Sequence, residues 1–123
     1  MKIQESAEDY LEMILMLRER SGQVRSIDIV NEMGYSKPSV SIAMKKLREN
    51  GYIRVDENGF ITLEQPGHEI AVQMYDRHQT LAKILMAAGV GEGTAIKDAC
   101  RIEHVISDES YRCLKRHFKN YLA

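Results

Sequence analysis

Residues 26–63 read SIDIVNEMGYSKPSVSIAMKKLRENGYIRVDENGFITL, and their punctuation decides the fold. A short helix is predicted over 26–33, with Ser26 as its N-cap and Ile27, Val30 and Met33 facing inward. Gly34-Tyr35 makes the turn. Ser36 then caps another helix, and Pro38 sits in its first turn, where a missing N–H costs nothing. Val40, Met44 and Leu47 form the inward stripe, and Gly51 stops the helix. A short helix, a glycine turn and a capped helix whose leading face carries small polar and basic residues describe a helix-turn-helix. Tyr52–Val55 and Phe60–Leu63 follow as β-prone runs around the turn-rich Asp56-Glu57-Asn58-Gly59. That is a hairpin, and after a helix-turn-helix it is a wing. The fold class is therefore mostly α with a small β wing.

Outward from this core, residues 5–20 read as an amphipathic helix. Ser6 is placed to cap it, Ala7, Tyr10, Leu11, Ile14, Leu15 and Leu17 follow the helical period, and Ser21-Gly22 ends it. On the other side, Pro66-Gly67 opens a long helix to about Ala88, stopped at Gly89 or Gly91. Two more helices are predicted over 93–105 and 107–121, with Ser107 and Asp108 at the break. The apolar residues left to this part (Ile84, Leu85, Val90, Ile96, Ile102, Val105, Ile106) make too small a set for a good independent core, so self-association is expected to bury them. Two domains are expected: 1–65, a winged helix-turn-helix, and 66–123, a helical domain entered by the long helix.

At 123 residues the chain is one domain or two small ones, and 44% apolar with 28% charged residues fits a globular protein. It shows neither a long apolar run nor a signal peptide, so a cytoplasmic location without a membrane partner is expected. The two cysteines, Cys100 and Cys113, are too few for a disulfide framework. A net charge of −1 does not announce a nucleic-acid binder, but distribution matters more. Between Ser36 and Arg54 stand Lys37, Lys45, Lys46, Arg48 and Arg54 against Glu49 alone. Acidic residues crowd near the start and around 98–109.

Within that second acidic patch, Cys100, Glu103 and His104 fall at i, i+3 and i+4, on one face of a helix. Thiolate, carboxylate and imidazole together make half a site for a divalent transition metal. Asp9 and Glu12 share a face of the first helix, and His78 lies on the long one. Each has a bland reading alone: first-turn charges, a surface histidine, a small core cysteine. Together they are six ligand-type side chains from three helices.

The run Ala99-Cys100-Arg101-Ile102-Glu103-His104-Val105-Ile106-Ser107-Asp108-Glu109 resembles the metal-binding helix of the iron-dependent repressors of the diphtheria-toxin-repressor family. Glu8-Asp9-Tyr10-Leu11-Glu12 is similar to the first-helix stretch of its manganese branch, the manganese transport regulators. Arg77-His78, the wing and Ser36-Lys37-Pro38-Ser39-Val40-Ser41 match as well, so the resemblance covers about residues 5–118. It implies an N-terminal winged helix followed by a helical dimerisation domain. It further implies a metal-activated repressor that binds a double-stranded DNA operator as a homodimer and controls metal-uptake genes. Asp9 and Glu12 are the manganese branch's choice and Cys100 the iron branch's. Ala82 and Ile96 stand where the iron branch has its ancillary ligands, so no ancillary site of that kind is expected. The SH3-like third domain that the iron branch often adds is not expected in a sequence of this length.

The resemblance thus implies a metal site of Asp9, Glu12, His78, Cys100, Glu103 and His104, for one or two Mn²⁺ or Fe²⁺ ions per subunit, with Zn²⁺ or Co²⁺ binding in vitro. Ionised, the six carry four negative charges that repel without a cation. A cation joining the amino-terminal helix to the carboxy-terminal helices would set the spacing of paired recognition helices, which must meet major grooves about 34 Å apart. Resemblance also puts Ser36, Pro38, Ser39 and Ser41 near bases, and Lys37, Lys45, Lys46 and Arg54 are candidates for phosphate contacts. These short side chains favour thymine methyls and DNA shape over bidentate base contacts. The alternatives are a winged-helix regulator of a non-metal signal with a structural polar cluster, and a metallohydrolase. The hydrolase is disfavoured, because there is no His-Glu-x-x-His motif and no separate general base.

Overall fold

The computed structural model describes residues 5–122; the first four residues of the expected 1–65 domain and the last of the 66–123 domain lie outside them. The elements run α1 (Glu5–Ser21), α2 (Ser26–Met33), α3 (Lys37–Glu49), β1 (Ile53–Val55), β2 (Ile61–Leu63), α4 (Gln65–Ala87), α5 (Glu92–Ile102) and α6 (Asp108–His117), with a short 3₁₀ turn at Lys119–Tyr121. They form two compact units, divided within α4 between Val72 and Gln73.

In the first unit, α1, α2 and α3 pack on one another, and the hairpin packs against α1 and α3. The stripe expected of α1 is buried at Tyr10, Leu11, Ile14, Leu15 and Leu17, and that of α3 at Val40, Met44 and Leu47. Ser36 caps α3 as its spacing predicts, its Oγ accepting from the Ser39 N–H at 3.3 Å. α2 departs from expectation in two ways. Its N-cap is Arg25, whose N–H donates to the Asp28 carboxylate at 2.8 Å, and Ser26 is already helical. Its buried residue is Ile29, while Ile27 is 43% exposed. A helix of two turns holds too few apolar positions to choose between these frames, and packing decides for the stripe Ile29–Met33.

The hairpin is antiparallel, with Ile53 opposite Leu63, Arg54 opposite Thr62 and Val55 opposite Ile61. Its turn is organised by Asp56, whose Oδ1 accepts from the N–H groups of Asn58 and Phe60, both at 2.9 Å. Gly59 takes the left-handed conformation there, φ +83°, open to glycine at no steric cost. β2 also reaches back, its Ile61 N–H donating to the Val24 carbonyl at 2.7 Å. Arg25 lies over the Phe60 ring at 4.4 Å, which ties the start of the helix-turn-helix to the wing.

In the second unit, Leu81 and Ala82 of α4 pack with Ala99 of α5 and Tyr111 of α6, flanked by Ile102, Ile106 and Leu114. The Tyr111 hydroxyl donates to Asp76 and meets the Thr80 hydroxyl at 3.2 Å, and Lys115 Nζ lies 3.0 Å from Asp76. Partial burial pushes the Asp76 carboxyl up, but these two donors outweigh it and hold it below the usual carboxylate range. Gly89, φ +100°, ends the long helix rather than Gly91, which instead precedes α5 as its N-cap.

Candidate functional site

α1 presents Asp9 and Glu12 three residues apart, and helix geometry puts both carboxylates on one side. Each offers an oxygen within 4.8 Å of the other's. Glu12 is buried and Asp9 partly so. Burying a carboxylate is costly unless something offsets its charge, so this is not an ordinary solvated first turn.

In the second unit, the centre is Glu103, whose side chain has no exposed surface. His78 Nδ1 of α4 lies 3.1 Å from Glu103 Oε2, and His104 Nε2 lies 3.4 Å from Oε1. His104 itself is 1% exposed at its side chain. Cys100 sits on α5, exposed, one turn earlier than Glu103 and His104.

The expected helix over 93–105 stops at Ile102, and Glu103 is its C-cap, still right-handed helical at φ −57° and ψ −26°. Arg77, next to His78 on α4, explains the early stop. Its buried guanidinium donates from Nη1 to the carbonyls of Glu103 and Ile106, both at 3.1 Å, and reaches the Asp108 carboxylate at 3.5 Å. Carbonyls that a longer helix would use internally are taken by this side chain instead. Arg77 entered the sequence reading only through the Arg77-His78 match, which gave it no role of its own; the structure makes it the residue that holds the turn carrying Glu103. Replacing it with Met should leave two carbonyls short of donors and cost about 2 kcal/mol of stability, by the usual penalty for a lost buried partner. Metal affinity should fall about ten- to a hundredfold through loosened ligands. Thermal unfolding in chelator and a Mn²⁺ titration would read the two effects separately.

At the front of α3, Ser36 is the N-cap, and Lys37, Pro38, Ser39 and Ser41 are exposed on the first turns. Lys45 and Lys46 are exposed one turn further on. Arg54 is exposed on β1, 3.6 Å from Glu64. The Ser36 hydroxyl also donates to Ser39 Oγ at 2.8 Å, so it is committed to the cap.

Residues 2–59 match the family model of the iron-dependent repressor N-terminal DNA binding domain, and residues 64–121 that of the iron-dependent repressor metal binding and dimerisation domain. An HTH-type transcriptional regulator of Methanocaldococcus jannaschii is 34% identical over 113 residues, 90% of each chain. The chain belongs to the iron-dependent repressor family. The transcriptional regulator MntR of Escherichia coli O6:H1 is 31% identical, covering 86% of this chain and 68% of that one. The solved structure of the manganese regulator SloR superposes with a TM-score of 0.81 at 29% identity, over 98% of this chain and 55% of that one. The chain spans about half the length of several of the solved structures it matches, SloR among them. The family is one of metal-dependent, DNA-binding transcriptional repressors, and this chain carries both of its modules, the winged helix and the metal-binding and dimerisation domain. No described helix is long and apolar enough to cross a membrane.

Proposed function

We propose that this protein is a dimeric repressor activated by Mn²⁺ or Fe²⁺, which controls metal-ion uptake genes by binding a double-stranded operator. The observation that carries the metal reading is Glu103, a carboxylate withdrawn from water with an imidazole nitrogen at each oxygen, 3.1 and 3.4 Å away. Donors sharing one small divalent ion stand about 3.0 Å apart as neighbours and at most about 4.2 Å across it, given bonds of roughly 2.1 Å. The His78–Glu103 spacing fits neighbouring ligands.

Asp9 and Glu12 from the first unit and His78, Cys100, Glu103 and His104 from the second are the proposed ligands, for one or two ions. Carboxylates and imidazoles suit Mn²⁺ and Fe²⁺, and one thiolate widens the choice toward Zn²⁺ and Co²⁺ in vitro. When bound, the cation supplies the positive charge that four anionic donors require. Ser36, Lys37, Pro38, Ser39, Ser41, Lys45, Lys46 and Arg54 are the proposed DNA contacts, with the division of labour near residue 65. Ile96 and Val105, exposed in the second unit, are proposed to be covered by the partner copy.

The experiment is operator binding with Mn²⁺ or Fe²⁺ against binding with chelator. Affinity should rise about ten- to a hundredfold with metal, the usual range for one site coupled to another. Equal affinity in both conditions would end the proposal.

A further inference from the structure

Ile42 is 57% exposed on α3, whose opposite face buries Val40, Met44 and Leu47. Helix spacing sets it one turn from Pro38 and Ser39 on one side and one turn from Lys45 and Lys46 on the other. This is not a broad apolar patch of the kind that receives a partner helix. It is a single branched aliphatic side chain framed by small residues and positive charge. Among the described residues, Lys37, Lys45 and Lys46 are exposed and held in no ion pair, so this face carries uncompensated positive charge. Ser36 spends its hydroxyl proton on Ser39 and so has none to donate to a base.

Chemistry narrows the occupant. A polyanion satisfies the lysines, and within its reach an exposed isoleucine needs an apolar group. In the major groove of duplex DNA, thymine alone presents one, its C5 methyl. We propose that Ile42 packs against a thymine C5 methyl and is a specificity-determining residue of α3. This rests on the reading of α3 as the DNA-contacting helix.

Burying one methyl-sized group is worth roughly fourfold in affinity, and two copies in a dimer roughly fifteenfold. The test starts by selecting duplexes from a randomised pool with the full-length, Mn²⁺-loaded protein. Deoxyuridine is then placed, one position at a time and symmetrically in both half-sites, wherever the selected duplex has thymine. The wild-type protein should lose about fifteenfold at one such position, because uracil differs from thymine only by that methyl. Ile42→Ala should bind the thymine duplex about as weakly as wild type binds the uracil one, and should be indifferent to uracil there. A wild type insensitive to uracil at every position would overturn the assignment, as would the same penalty in Ile42→Ala. If no duplex is selected even with metal, the DNA-binding reading itself has failed, a result distinct from selection followed by uracil indifference.

Discussion

Replacing Glu103 with glutamine should lower Mn²⁺ affinity at least a hundredfold and reduce DNA affinity in Mn²⁺ to its value in chelator. The substitution keeps the volume of a side chain that has no exposed surface, so it opens no cavity. It changes one of the two atoms that face His78 and His104. One carboxylate oxygen becomes an NH₂ group, which donates to an imidazole but offers no lone pair to a metal. The charge goes too, and with it most of the attraction for a divalent cation in a site shielded from water. The apo protein should barely notice: an amide still accepts at one end and donates at the other, and unfolding in chelator should stay within about 1 kcal/mol of wild type. That pairing of results separates ligand from scaffold. Titration calorimetry with Mn²⁺ and anisotropy of a labelled duplex are the two measurements. A variant with normal Mn²⁺ affinity and a normal DNA response would make Glu103 a hydrogen-bonded spacer between two histidines and remove the centre of the proposed site. His78→Ala should lose activation likewise, while its partly exposed position on α4 leaves the fold intact.

What could be foreseen from the chain depended on how local its cause was. Ser36 with Pro38 two residues later announces a helix start in three residues, and the structure begins α3 there. The turn at Asp56–Gly59 is equally local, since one carboxylate and one glycine build it. Signals diluted over a short element were ambiguous, as with Ile27 and Ile29 in the two turns of α2. Causes from far along the chain were invisible. Nothing near Glu103 says that its carbonyl will be taken by a guanidinium 26 residues earlier, so helical spacing alone carries α5 past Ile102, where it ends. The second core was hidden for another reason. The branched aliphatics Ile96 and Val105, expected to be too few for a core and to need a partner copy, are exposed in the single chain, while the core is built on Ala99, which is fully buried, and Tyr111, which is nearly so. An alanine advertises no burial, and its value there is that it lets neighbouring helices come close. The proposed ligands were legible only as residue types at helical spacing. That the Glu103 side chain would be wholly enclosed, with a histidine from another helix on one oxygen, was not.

Gly67→Ala should destabilise the protein by about 3 kcal/mol, the upper part of the range for overpacking, and lower its melting temperature by about 10 °C. Gly67 lies in the first turn of α4 and is buried. A β-carbon there would stand 2.1 Å from the carbonyl oxygen of Tyr52 and 3.3 Å from Leu11 Cδ2. The second contact can yield, because a leucine side chain has other rotamers. The first cannot yield cheaply, because the Tyr52 peptide is held on both sides: its N–H donates to the Leu47 carbonyl and its carbonyl accepts from the Glu64 N–H, both at 3.0 Å. To make room, the chain must shift the junction between α3 and β1 or tilt the start of α4, and either move disturbs the wing that carries Arg54. Alanine's better helix propensity would by itself favour the variant by up to about 1 kcal/mol, so a net loss isolates the steric cost. Gly93→Ala provides the control. It lies in α5, a β-carbon there meets nothing within 4 Å, and it should be neutral or slightly stabilising. Urea unfolding of the two variants beside wild type decides the matter. If Gly67→Ala proves as stable as Gly93→Ala, the Tyr52 carbonyl does not press on the helix, and the glycine is there for some reason other than the close passage of two backbones.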